Sequence, residues 1–184
     1  SLEDLIREVE DRNRKSVEEV ERLLEEVRRK LDESRKRLEE LLKRVEEKLE
    51  RVIEEAKRRL KNVKDVEERL KEVRKTLKRL KERLEERTDE VRRRLERLIE
   101  ELRKRSKEHS ERLRDRVEKV RDVKDEKVVE ELAREMKKSV EEHTREVRRM
   151  VAELEKLVKR HTEEVERAVR EAEKLVETLR EELR

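Results

Sequence analysis

Apolar side chains recur along the first third of the chain in steps of 4, 3, 4, 3 and 4 residues. From Leu2 they fall at Ile6, Val9 and, past the polar Asn13 and Ser16, at Val20, which closes a cycle of 18 residues. Leu24, Val27, Leu31, Ser34 and Leu38 make the second cycle, and Leu42, Val45, Leu49, Val52 and Ala56 the third. Eighteen residues in five turns is the 3.6 period of a straight α-helix, whereas a 3.5-residue heptad would wind a left-handed supercoil. The same steps return at Val66, Leu70, Val73, Leu77, Leu80 and Leu84, through Leu102 to Val120, and again at Val129, Ala133, Met136, Val140, His143 and Val147, on to Leu183. The pattern predicts helices over about 2–61, 66–121 and 126–183, each roughly 85 Å long at a rise of about 1.5 Å per residue.

On a helical wheel each stripe, with flankers such as Leu5, Leu23 and Leu41, fills an arc of about 120°, wide enough to meet two neighbouring helices. The opposite face is charged and carries i,i+4 pairs such as Glu18-Arg22 and Glu39-Lys43. One continuous helix would leave the whole stripe in water. Short breaks between long helices favour antiparallel neighbours, so the expected fold is all-α: an antiparallel up-down-up three-helix bundle, coiled-coil-like, over residues 1–184 as one domain. The breaks are Asn62-Val63-Lys64-Asp65 and Asp122-Val123-Lys124-Asp125, neither with glycine. Asp65 with Glu68 forms an acidic variant of the capping box, and Ser1 with Asp4 nearby caps the first helix in the same way.

Composition narrows this picture. Charged residues make up 61% of the chain and hydrophobic ones 30%, a mixture that also fits a disordered chain, so the periodicity is what decides for helix. The 58 basic and 54 acidic side chains nearly cancel, leaving +4 without a long like-charge block, and there are no aromatic rings on which bases could stack. No nucleic-acid partner is therefore expected. The absence of cysteine rules out disulfides, thiol chemistry and Cys-type zinc sites. No apolar run reaches the roughly 18 residues of a membrane span, and none resembles a signal peptide. A soluble chain without a membrane partner or an address is expected, of the kind suited to recombinant cytoplasmic expression.

All three histidines are followed by a hydroxyl residue: His109-Ser110, His143-Thr144 and His161-Thr162. With turns at the two breaks, residues of helices 1 and 2 lie level when their numbers sum to about 126, and those of helices 2 and 3 when they sum to about 249. His109 then lies level with Ser16, His143 with Ser106, and His161 with Thr88, all on stripe positions. Ser110, Thr144 and Thr162 stand as second hydroxyl partners at the stripe edge, and Asn13 extends the network. A buried imidazole has two ring nitrogens to satisfy, and a hydroxyl can donate or accept by rotating. Two readings follow: a hydrogen-bond network that specifies helix pairing at some cost in stability, and a pH sensor built on that network. Burial lowers a histidine pKa below its unfolded value near 6.5, so stability is full above that pH and declines as pH falls. One unit of depression at each of three sites amounts to ~4 kcal/mol. That is a minor part of the roughly 9 to 28 kcal/mol expected for a domain of this length.

No metal, cofactor or catalytic site is expected. His143 and His161 are roughly 27 Å apart along one helix, and two histidines without a core carboxylate make a poor zinc shell. No core acid orients an imidazole, and a tightly packed bundle offers no cleft. Met136 and Met150 are core filler.

The 18-residue cycles, the duplicated "VKD" breaks, the missing Gly, Pro, Cys and aromatic residues, and the Glu/Lys/Arg surface together resemble a de novo designed parametric helical bundle with buried hydrogen-bond networks. The resemblance covers all 184 residues. Natural three-helix repeats such as spectrin are similar in topology, with shorter helices and core aromatics. The resemblance implies a designed scaffold with no natural biochemical activity and no required partner. Its alternatives are a pH-responsive, self-associating subunit and a three-helix receptor for a fourth, helical peptide.

Overall fold

A computed structural model describes residues 1–60 and 64–184, leaving aside the side chain of Asp65. Three α-helices fill them: α1 (Leu2–Arg59), α2 (Lys64–Arg121) and α3 (Glu126–Glu182). No strand occurs among the described residues, and the fold is an all-α three-helix bundle. No helix among them is long and apolar enough to cross a membrane.

The stripe positions become the core. Of the fifteen α1 positions from Ile6 to Ala56 named above, all but Asn13 are buried, Ser16 and Ser34 included. On α2 and α3 burial follows the same steps, with Leu95 and Ile99 fully enclosed and Met136 in the core. Met150 lies at the edge, accepting a 3.7 Å contact from Arg105.

The helix ends use short polar side chains. Ser1 Oγ accepts from the backbone N–H of Asp4 at 3.4 Å and donates to Asp4 Oδ2 at 2.9 Å. At the second break the N–H groups of Asp122 and Val123 donate to the carbonyls of Lys119 and Val120, closing α2 with tight turns. Asp125 caps α3, its Oδ1 accepting from the N–H of Lys127 at 3.0 Å. No described residue has a positive φ, so the described turns need no glycine. Asn62 and Val63 of the first break, and the Asp65 cap, lie outside the described residues. α1 ends at Arg59 and α2 begins at Lys64, about two residues earlier than the periodicity predicts.

The chain divides into two compact units, Ser1–Arg29 with Arg94–Lys156 and Lys30–Arg93 with Leu157–Arg184, each holding a segment of all three helices. In the first unit Ile6 and Val9 of α1 pack with Leu113, Val117 and Val120 of α2 and Val129, Ala133 and Met136 of α3. Arg28 and Arg103 each grip a carboxylate of the facing helix with two hydrogen bonds, to Glu96 and Glu21. In the second unit Leu42, Val45 and Leu49 pack with Leu70, Val73 and Leu77 of α2 and Val169, Ala172 and Val176 of α3. Within each unit, α2 pairs antiparallel with both neighbours, while α1 and α3 run parallel.

Candidate functional site: the buried histidines and their hydroxyl neighbours

Consecutive residues of a helix point about 100° apart, so a His-Ser or His-Thr dipeptide on a core stripe can face two different neighbours. All three dipeptides do so. The hydroxyl member faces α1: Ser110 Oγ accepts from Asn13 Nδ2 at 3.1 Å, Thr144 Oγ1 lies 2.6 Å from Ser16 Oγ, and Thr162 Oγ1 lies 2.9 Å from Ser34 Oγ. The ring faces between α2 and α3. His161 Nε2 lies 3.0 Å from Thr88 Oγ1, and His109 Nε2 lies 3.3 Å from Ser139 Oγ. His143 stacks on His109, with ring centroids 4.1 Å apart and planes 4° from parallel.

Three proton positions follow from helix back-bonding. Thr144 Oγ1 donates to the carbonyl of Val140 and Thr162 Oγ1 to that of Val158, each four residues back. With those protons committed, Ser16 and Ser34 donate across to the two threonines. Thr88 Oγ1 likewise donates to the carbonyl of Leu84 at 2.7 Å, so the proton in the Thr88–His161 bond belongs to His161 Nε2. His161 is held as the Nε2–H tautomer, its Nδ1 buried without a partner. His109 Nδ1 and His143 Nε2 are buried and unpartnered as well.

Each ring resists protonation. Burial, assisted by neighbouring His143 and by Arg112 and Arg116 and opposed by a hydrogen bond to the Ser139 backbone, pushes His109 down from 6.5 to about 4. Burial lowers His143, with Arg112 adding and Glu146 opposing, and it lowers His161, with Glu164 opposing and Arg87 adding.

The His161–Thr88 pairing stands as the sequence places it, but two other pairings do not. Ser16 bonds Thr144 rather than His109, and Ser106 is buried yet makes no hydrogen bond to His143, whose Nε2 has no partner. The register is not the reason, since the α1–α2 sum of 124 seen at Arg28–Glu96 and Arg74–Glu50 leaves Ser16 and His109, which sum to 125, as level as the expected 126 does. Side chains lean toward the N-terminus of their own helix, so level Cα atoms and touching side chains differ. The α1–α3 offset, about 123 by sequence arithmetic, is 128 at both hydroxyl pairs. Ser34 and Ser139 were absent from the sequence reading of the network. Both carried a signal, since Ser34 follows Ser16 by one 18-residue cycle and Ser139 sums with His109 to 248, close to the expected α2–α3 register.

Among the described residues no group of three or more His, Cys, Asp or Glu could hold a metal ion. The bundle also has grooves where the sequence offered no cleft. One of them, about 970 Å³, runs between α1 and α2 over Leu49 and Leu77. It is bridged by the Glu50–Arg74 and Glu46–Lys81 ion pairs, and no histidine lines it. The arrangement therefore defines a three-helix bundle with buried hydroxyl and imidazole contacts. No family model matches the chain, and no curated protein or solved structure is significantly similar to it.

Proposed function

We propose that the protein is a structural bundle, a designed scaffold without catalytic chemistry, whose buried polar side chains select one helix pairing and weaken the fold in acid. The observation that carries this reading is the division of labour in the three dipeptides. Their hydroxyls bind α1, and their rings lie between α2 and α3. The Ser16–Thr144 and Ser34–Thr162 pairs share the separation of 128 residues and the same threonine back-bond. A slip of α1 against α3 by one turn, to a separation of 124, would set the buried hydroxyls of Ser16 and Ser34 against Val140 and Val158, and each buried polar group without a partner costs about 1–3 kcal/mol. Packing alone discriminates less, because the stripe presents Val or Leu again every three or four residues and so after a slip of one turn. A receptor for a fourth helix has weaker support: among the described residues Val128, 40% exposed, is the only exposed large hydrophobic side chain.

The test removes both partners of each bond together, with Ser16→Ala, Ser34→Ala, Thr144→Val and Thr162→Val. Replacing both members by apolar groups of similar shape is nearly neutral for stability. The denaturation midpoint should hardly move. Spin labels at Glu10→Cys on α1 and Glu142→Cys on α3, both exposed, should then report a second distance population, from chains in which α1 has slipped along its axis by about 5.4 Å, one helical turn. A single distance identical to that of the parent would refute the role assigned to the polar side chains.

A further inference from the structure

We propose that acid opens the bundle first in the unit of residues 1–29 and 94–156, because there the rings of His109 and His143 stack, so that two added protons repel each other as well as lacking acceptors. The inference rests on the reading that acid weakens the fold, and it adds where the weakening begins.

The lone pairs of an imidazole lie in the plane of its ring. Two rings 4.1 Å apart and 4° from parallel therefore direct their nitrogens past each other, and no N–H of one can point at a nitrogen of the other. A shared proton, the usual relief for two adjacent bases, is excluded by this geometry. His109 Nδ1 and His143 Nε2 are both buried without a partner, so a proton taken up at either gives an N–H with nothing to receive it. The charge would also face the second ring, whose own protonation it then opposes.

The charged surroundings do not compensate. Arg112 and Arg116 of α2 act on His109, and Arg112 also acts on His143, both adding positive charge. The one acid that favours the charged form is Glu146 of α3, which lies 3.6 Å from Arg105 in an ion pair of its own. No charged group of α1 acts on either ring among the described residues. α1 meets the neighbouring dipeptide members through neutral groups, Asn13 at Ser110 and Ser16 at Thr144.

The other unit holds one histidine. A proton on its Nδ1 also lacks an acceptor, but His161 keeps its Nε2–H bond to Thr88, has no second ring against it, and faces one acid, Glu164, and one base, Arg87, that pair with each other at 3.7 Å. Acid places one buried charge there, against two mutually repelling ones in the first unit.

Hydrogen exchange read by mass spectrometry at pH 7.5 and pH 5, corrected for intrinsic rates, tests this on the intact chain. A group that binds its proton near pH 4 when folded and near 6.5 when unfolded raises opening about 30-fold at pH 5. Peptides from 1–29 and 94–156 should lose at least that much protection, and those from 30–93 and 157–184 less. Equal loss in both units would overturn the inference while leaving acid weakening intact; no loss in either would overturn both. The double variant His109→Asn, His143→Asn should remove the excess, whereas His161→Asn should leave it. A magnetic resonance titration of the imidazole Hε1 protons in the parent chain gives a reading that does not depend on variants. His109 and His143 should titrate in separated, mutually dependent steps, and three independent, coincident titrations would refute the pairing.

Discussion

Replacing His109 by Asn should remove a defined part of the acid sensitivity, with a magnitude that follows from burial. The ring is 8% exposed and titrates near 4 in the folded chain, against 6.5 when unfolded. Because the folded value is the lower one, the unfolded chain binds the proton more readily over the interval between them. Stability is full above about pH 6.5, falls steadily below it, and has lost the whole contribution near pH 4. At pH 5 the loss is about 2 kcal/mol, from the two pKa values and the linkage relation. With a guanidinium slope of about 4 kcal/mol per molar, the parent midpoint should fall by about 0.5 M between pH 7.5 and pH 5 through this residue alone. The assay is guanidinium unfolding followed by helical circular dichroism at both pH values, on the parent and on His109→Asn. The quantity to compare is the shift within each protein. Whatever the substitution does to packing is present at both pH values and cancels. Carboxylates held low by ion pairs, such as Glu8 beside Lys137 and Glu182 beside Arg69, contribute equally to both proteins. The variant should therefore shift less by about 0.5 M. Equal shifts in the two proteins would refute the assignment of acid sensitivity to this ring.

Two further outcomes follow from the same contacts. Thr88→Val leaves the Nε2–H of His161 buried without an acceptor and should cost about 1–3 kcal/mol at pH 7.5 in chemical denaturation, while Thr88→Ser should recover most of it; a loss in Thr88→Ser with none in Thr88→Val would mean that the methyl group and not the oxygen matters. Light scattering should give a molar mass near 22.8 kDa at both pH 7.5 and pH 5. A multiple of that mass falling to the single-chain value in acid would favour the self-associating alternative instead.

What could be read from sequence and what could not divides along the range of the interaction. A helix that buries one stripe records that fact every three or four residues, so the core from Ile6 to Leu179 was legible in the apolar steps alone. The Thr88–His161 bond was legible for a related reason, since α2 and α3 are antiparallel neighbours joined by a break whose position the sequence marks. The α1–α3 pairing is different. Those helices are parallel, no short turn joins them, and their offset has to be obtained from two separate turns, so a two-residue error at the first break carries into it. The expected offset of about 123 sets Thr144 opposite Glu21, so its bond to Ser16 was hidden and Ser16 was matched across α2 to His109 instead. Local chemistry could have corrected it. A threonine on a helix commonly spends its proton on the carbonyl four residues back, as Thr144 and Thr162 do, and is then an acceptor in need of a donor. A histidine beside it, aimed about 100° away, is poorly placed to supply one, whereas a stripe serine on the third helix is well placed. The pairing of hydroxyl with hydroxyl, leaving the rings to each other and to α2–α3, is thus the arrangement that helix geometry favours once the threonine proton is accounted for. The stacking of His109 on His143 lies beyond that reasoning, because it depends on side-chain rotation about Cβ, which no residue spacing records.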